Sequence, residues 1–362
     1  MLIIQIVPRL PPAADGLGDY ALNLAHQMRQ DFGIKTHFIV GDPWWVGEAQ
    51  IEGFSISKVP RQSANIFLSL LESERFSSAT VLLHYVNYGY AKRGCPIWLV
   101  EGLERWRNTT VTRSLMTMFH EVYAFGFPPW TSSFWLSPLQ RNLASRLAQL
   151  SDHCFTSRKD YANLLYKLSQ GKHSQIATLP VFSTVGEPKQ LLPLAKRSKN
   201  LVVFGGYAMR KKVYQNSSSE LRQACQLLEI EEIIDIGPST ELNLSAIARI
   251  PIIEMGQQSA QKVSHILLHS LAGFFDYIPG YLAKSTIFAA YCAHGLLPVS
   301  ARYNPSLLDG IEEGKHYWIP EKSTTGLTLE LQAIANYAHS WYQEHQLSVQ
   351  AKIFAEQLDN LA

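Results

Sequence analysis

The sequence predicts an α/β fold in which two successive halves each wrap helices around a mainly parallel sheet. Three observations carry this. Short apolar runs of strand length (IIQIV at 3–7, TVLLHYV at 80–86, LVVFGG at 201–206, AGFFDY at 272–277) alternate with stretches whose apolar residues recur at helical spacing. The alternation lapses before residue 200 and then restarts with the same pattern. A chain of 362 residues also exceeds the size at which one core keeps growing, so two domains are expected.

Taken in order, IIQIV is a buried first strand, and the loop PRLPPAADGLGD has too much Pro and Gly for regular structure. Gly18 or Asp19 starts a helix whose Ala21, Leu22, Leu24, Ala25 and Met28 share one face and which stops near Gly33. The strands THFIVGD, TVLLHYV and SLMTMFHEVYA follow, separated by helices from Ala64, from Pro96 and from Leu136; HCFTS and a helix from Arg158 close the first half, 1–182. Residues 183–200 hold two prolines, clustered basic residues and little periodicity, and read as a linker. The second half, 201–340, runs from LVVFGG through a loop YAMRKKVYQNSSS, a helix SELRQACQLL and the strands EEIIDIGP, PIIEMG and AGFFDY, and residues 341–362 form a last helix.

Composition narrows the function. A formal net charge of +2 with 17% charged residues gives no field large enough for a polyelectrolyte, so no nucleic-acid partner is expected. The eight Trp, sixteen Tyr and sixteen Phe fit sugar-facing clefts or a weak membrane-surface contact, and equally a large core. Cys95, Cys154, Cys225 and Cys292 are widely spaced, without metal-ligand partners, as in reduced thiols of a cytoplasmic protein. The first residues read as a strand and not as a signal peptide, no run is long enough to span a bilayer, and no D-x-D cluster offers a divalent-metal site.

The stretch GFFDYIPGYLAKSTIFAAYCAHGLLPV at 273–299 organises the second half: strand, loop, helix, strand, with the loop at the strand's carboxyl end where open α/β sheets bind ligands. Asp276 lies on that loop, and Lys284, Ser285 and Thr286 open the helix. A lysine there opposes the helix dipole, which points to an anion, unless it is a surface lysine. GYLAKST lacks the spacing of a phosphate-binding G-x-x-x-x-G-K-[ST], which excludes nucleoside triphosphatase chemistry. Arg210, Lys211 and Lys212 follow Gly205 and Gly206 and suit a diphosphate. Gly16 and Gly18 admit either a close-lying ligand or close packing, and Asp15 and Asp19 read as loop and cap residues. His120, beside Glu121 at a strand's carboxyl end, is an active-site candidate; His26, His84, His153, His265, His269 and His294 read as structural.

These residues carry a resemblance. PPAADGLGDYALNLAHQM resembles the P-x-x-G-G-x-x-x-x-x-x-L-A-x-x-L opening of retaining, nucleotide-sugar-dependent GT-B glycosyltransferases, and FHE at 119–121 resembles their strand-end histidine. VVFGGYAMRKK stands where they have G-R-x-x-x-x-K-G, and FFDYIPGYLAKSTIFAAYCAHGLLPV where they have E-G-F-G-x-x-x-x-E-A-M-A-x-G-x-P-V. The E-x7-E pair is replaced by Asp276 and, eight positions on, Lys284. The resemblance implies two Rossmann-like domains whose parallel sheets face a central cleft, with the last helix crossing back to the first domain.

It further implies transfer of a sugar from a nucleotide diphosphate sugar to an acceptor hydroxyl, with retention, in polysaccharide or glycolipid assembly; the missing D-x-D cluster points to chemistry without a metal, and no other cofactor is expected. The donor and a saccharide or lipid-linked acceptor are the expected partners, and the cytoplasmic face of the inner membrane the expected place. His120 and Asp276 are the catalytic candidates, and Gly16, Gly18, Gly205, Gly206, Arg210, Lys211, Lys284 and Ser285 the donor-binding ones. Asp276 is expected to accept hydrogen bonds from sugar hydroxyls. Aromatic loops GDPWWVGE, YGYAKRG and AFGFPPW are acceptor candidates. Two rivals stand beside this reading: a GT-B-shaped binding module without turnover, and a nucleotide-sugar epimerase.

Overall fold

The apolar run at the amino terminus becomes β1 (Leu2–Val7), which pairs in parallel with β2 (Lys35–Val40) on one side and β5 (Thr80–Tyr85) on the other. Covered on both faces, it has no need for alternating polar residues, and its sequence is apolar except for the buried Gln5. In the computed structural model all residues are described except 14, 74–75, 77–78, 110–112, 126–127, 243, 304–306, 321–326 and 362. Gly126 and Phe127 of the AFGFPPW loop therefore lie outside the described residues.

Between β1 and β2 runs α1 (Gly16–Phe32), capped by the Asp15 side chain, which accepts from the Leu17 amide, and ended by Gly33 in the left-handed conformation at φ 64°. Past β2 the sheet continues through β4 (Phe54–Lys58) to a short antiparallel edge strand, β3 (Gln50–Ile51). α2 (Ala64–Leu71) leads to β5, and α3 (Asn87–Tyr90) and α4 (Ile97–Thr109) to β6 (Leu115–Phe119). α5 (Ser132–Leu150) then precedes β7 (His153–Thr156), and α6 (Lys159–Leu168) precedes β8 (Ala177–Thr178). Among the described residues the order is β3-β4-β2-β1-β5-β6-β7-β8. Successive strands move outward on both sides of β1, the doubly wound arrangement.

The second sheet repeats this logic around β9 (Ser198–Phe204). α7 (Tyr207–Asn216) and α8 (Ser218–Leu227) carry the chain to β10 (Glu232–Ile236), beyond which lie β12 (Ile250–Gly256) and its antiparallel edge partner β11 (Ala246–Ile247). α9 (Ala260–His269) brings the chain to the other side, where β13 (Ser270–Phe275), α10 (Thr286–Ala293) and β14 (Leu297–Ser300) follow. The order is β11-β12-β10-β9-β13-β14. α11 (Leu327–Gln343) packs on α10 and β14, and α12 (Leu347–Asp359) ends the chain.

The chain divides into two compact units, one made of Met1–Leu179 with Leu347–Ala362, the other of Pro180–Gln346. Two expectations are corrected here. Residues 183–200 are not a free linker: the buried Arg197 donates to the carbonyls of Leu192, Leu267, Ser270 and His294, which holds this segment in the second unit, and its last residues are already β9. YAMRKKVYQN is not a loop but α7, because Gly206 ends the strand as an extended N-cap and the following residues are good helix formers.

α12 belongs to the first unit. It lies along α1, the Tyr20 hydroxyl donates to Gln350 Oε1 at 2.7 Å, and the Phe354 ring meets Phe155 of β7 at 4.6 Å between centroids. Phe354 is fully buried, so Phe354→Ala opens a cavity and is expected to cost about 3–5 kcal/mol. Urea unfolding followed by circular dichroism measures this; a loss below about 1 kcal/mol, the size of a typical surface effect, contradicts the assigned packing.

Candidate functional site

In a doubly wound sheet the crevice that accepts ligands opens at the carboxyl ends of the strands where the strand order reverses. Here those points are β1/β5 in the first unit and β9/β13 in the second. The candidate residues gather at these two places.

In the first unit, His120 directly follows β6, and its amide donates to the Tyr85 carbonyl at 3.0 Å. The imidazole is half-buried; its Nε2 lies 3.2 Å from Nδ1 of His84 on β5, and His84 Nε2 lies 2.9 Å from Gln5 Oε1 on β1. With the Gln5 carbonyl oxygen as acceptor, His84 carries its proton on Nε2, so its Nδ1 accepts from His120 Nε2–H. The His120 tautomer that results keeps its lone pair on Nδ1. Tyr20 packs edge-on against His120 at 4.9 Å and against His84 at 5.8 Å. His84 had read as structural; the signal for its place was its position on the strand beside His120's, invisible until the pairing β5–β6 set the two side by side.

The two glycines of this unit separate. A Cβ on Gly18 would sit 2.5 Å from the Arg9 carbonyl oxygen, so this glycine serves close packing of α1 on the preceding loop. Gly16 is exposed with open space around its Cα, the arrangement that lets a ligand approach the start of a helix. Asp19, read from sequence as a cap, titrates unusually: burial, helped by the neighbouring Asp15, pushes its carboxyl up to about 6. The cap is Asp15, which leaves Asp19 as a functional candidate that sequence reasoning missed.

In the second unit, Gly205 takes φ 136°, where a Cβ would also strike the Ile287 side chain, and Gly206 is exposed and unobstructed at the start of α7. The cations after them diverge. Arg210 is 1% exposed and does not reach the ligand side: it pairs with Asp235 of β10, and it donates to the Gly205 and Pro238 carbonyls, tying β9 and β10 together at their ends. This removes Arg210 from the diphosphate-binding set. Lys211 lies over the Tyr207 ring and donates to its hydroxyl at 2.7 Å. Lys212 turns to Asp276, 3.3 Å from Oδ1.

Asp276 follows β13 at the switch point but is fully buried. Its carboxylate accepts from Ser217 Oγ at 3.0 Å and from the Arg302 guanidinium, in addition to Lys212. Burial by itself would raise its pKa, yet Arg302, Ser217 and Lys212 outweigh that and hold it below the usual carboxylate range. The expectation that Asp276 accepts from sugar hydroxyls is therefore corrected: it anchors cations at the strand end. Lys284 also sits elsewhere than expected. It ends a short 3-10 turn, Pro279–Lys284, stacking over Tyr281 at 5.8 Å, and Ser285 is the N-cap of α10, accepting from the Phe288 amide at 3.2 Å. Gly205 and Ile287 nearly touch, so the starts of α7 and α10 lie side by side, with Lys284 leading directly into the second.

Two doubly wound units with a crossing last helix define the GT-B fold of glycosyltransferases. The chain is similar to a glycosyltransferase from Rickettsia africae (TM-score 0.60, 12% identity, 99% of this chain and 98% of that one). It is similar also to an alpha-glucosyltransferase in complex with UDP and a 13-mer DNA (TM-score 0.57, 10% identity, 100% and 99%). A third likeness is to the N-terminal domain of trehalose-6-phosphate phosphatase from Candida albicans (TM-score 0.62, 9% identity, 100% and 97%). No protein-family model and no curated protein matches the chain.

Burial lowers the imidazole pKa of His84 from 6.5 to about 3, so His84 stays neutral and keeps accepting from His120. The folded value lies below the unfolded one, so the unfolded state binds the proton first as pH falls. Stability is complete above pH 6.5 and declines towards pH 3, by about 1.4 kcal/mol per pH unit for each such group. His294, lowered to about 4, acts in the same direction. Urea midpoints at pH 7.5 and 5.5 sample the upper part of this window, and Asp19, whose raised pKa of about 6 acts in the opposite direction, contributes equally to wild type and variant; the expected result is that lowering the pH costs the wild type more stability than His84→Gln. An equal difference in the variant contradicts a neutral His84.

Proposed function

We propose that the protein transfers a sugar from a nucleotide diphosphate sugar to an acceptor hydroxyl, in polysaccharide or glycolipid assembly. The observation that carries this reading is the junction of α7 and α10 at the β9/β13 switch point. Two helix starts, an unobstructed Gly206 and nearby Lys211, Lys212 and Lys284 make a place for a diphosphate. In the reaction the bond between the anomeric carbon and the diphosphate breaks, the acceptor oxygen bonds to that carbon, and the acceptor's proton leaves with the diphosphate. Charge grows on the departing phosphate oxygens, so fixed cations and amides stabilise the transition state more than the bound donor. In the proposal those cations take the place of a metal, and the anomeric configuration is retained. His120, held by His84 and Tyr20, contacts the sugar or the acceptor hydroxyl.

Partners in this reading are the donor and a saccharide or lipid-linked acceptor, with no nucleic acid, and the site of action is the cytoplasmic membrane face. Among the described residues no helix is long and apolar enough to cross a membrane, so the contact proposed with the bilayer is peripheral.

A second reading has its own observation. The carboxylate at the donor position, Asp276, is consumed by Arg302, Ser217 and Lys212, as in a chain that binds a nucleotide sugar without turning it over. A panel of nucleotide sugars incubated with the protein separates the readings. Slow release of free sugar that persists in EDTA supports the transferase, an isomerised sugar supports an epimerase, and binding without product supports the module. For the transferase, His120→Ala is expected to lower turnover roughly tenfold or more while leaving nucleoside diphosphate affinity unchanged, and Lys284→Ala to weaken that affinity by about tenfold or more. Loss of nucleotide binding in His120→Ala, or none in Lys284→Ala, contradicts the assigned roles.

A further inference from the structure

α5 carries apolar residues on two faces. Leu143, Ala144, Leu147 and Ala148 pack into the core, as a helix on a sheet requires. On the opposite side Phe134, Trp135, Pro138 and Leu139 form a second apolar stripe that faces solvent, with Trp135 72% exposed, and Trp130 just ahead of the helix is 85% exposed. Residues 122–151 contain no Asp or Glu. An open groove of about 900 Å³ runs beside this stripe, lined at one end by Tyr123, Phe125 and Trp135 and at the other by the exposed Arg141 and Lys167.

We infer that this face of α5 docks on an anionic phospholipid bilayer, with Trp130, Trp135 and Phe134 in the interfacial layer and Arg141 and Lys167 against lipid phosphates. Tryptophan favours the boundary between headgroups and acyl chains, and an outward apolar stripe bordered by cations is the form of a helix lying in that boundary. Charge complementarity selects the anionic lipid: Arg141 and Lys167 are exposed beside the groove, and neither residues 122–151 nor the groove lining contributes a carboxylate. A saccharide is the competing occupant, because Asn142 and Gln170 also line the groove, and the test below separates the two. In sequence, α5 follows the loop that begins at His120, the residue proposed above to contact the acceptor.

The inference gives a location to the peripheral contact proposed above, and its test is independent of turnover. The full chain is sedimented with phosphatidylcholine vesicles and with vesicles containing phosphatidylglycerol. The wild type is expected to pellet preferentially with the anionic vesicles. Trp130→Ser/Trp135→Ser, both at exposed positions, is expected to weaken partitioning by roughly tenfold or more. Arg141→Gln/Lys167→Gln is expected to abolish the preference for phosphatidylglycerol. A wild type that stays in the supernatant, variants that pellet like it, or variants that pellet like it but lose affinity for a free saccharide acceptor overturn the inference. Donor hydrolysis without vesicles reports on the transferase reading separately.

Discussion

One buried guanidinium fixes the strand ends of the second sheet. Arg210 is enclosed where β9 and β10 finish, and a charge so placed is tolerable only if it is paired and hydrogen-bonded. Asp235 supplies the counter-charge, with the Gly205 and Pro238 carbonyls as further acceptors and the Tyr214 hydroxyl bound to the other Asp235 oxygen. The two glycine turns after β9 and β10 are thereby locked against each other; a Cβ on Gly237 would lie 2.1 Å from the Gly205 oxygen. Once these turns are fixed, so are the starting point of α7, the open approach at Gly206, and the direction in which Lys211 and Lys212 leave the helix.

The same principle operates at Asp276. A fully buried carboxylate needs partners, and it draws Lys212, Arg302 and Ser217 to the end of β13. The result is a rigid cationic rim beside the start of α10. In the first unit a neutral network does the corresponding work: Gln5, His84 and His120 run from strand to strand across β1, β5 and β6, and α12 enters it through Gln350 and Tyr20. The last helix, although distant in sequence, thus supports the ring packed against His120.

The central strands were legible because they are covered on both faces and therefore mainly apolar, and most helices because they carry an apolar stripe; α7, with few apolar residues, was not. His120, Gly206 and Asp276 were legible as positions, since each directly follows such a strand. Their partners were not. Consecutive residues of a helix point about 100° apart, so Arg210, Lys211 and Lys212 cannot share one target, and treating them as one cluster required a loop that is not there. Arg210 finds its carboxylate 25 residues away, and Asp276 finds its hydroxyl 59 residues before it and its guanidinium 26 after it. Such pairs leave no spacing pattern. Asp19 is a partial exception: its raised pKa comes first from burial by packed neighbours, which the sequence does not show, and then from Asp15 four residues before it.

In the proposed reaction a diphosphate binds where α7 and α10 begin, on the rim organised by Arg210 and Asp276. The most direct measurement is a crystal structure of the protein with a nucleoside diphosphate. Phosphate density is expected against the amides at Gly206 and Thr286, with Lys284 in contact and Arg210 still paired with Asp235. Diphosphate ordered away from these two helix starts, or Arg210 released from Asp235 to reach it, would rule out this site.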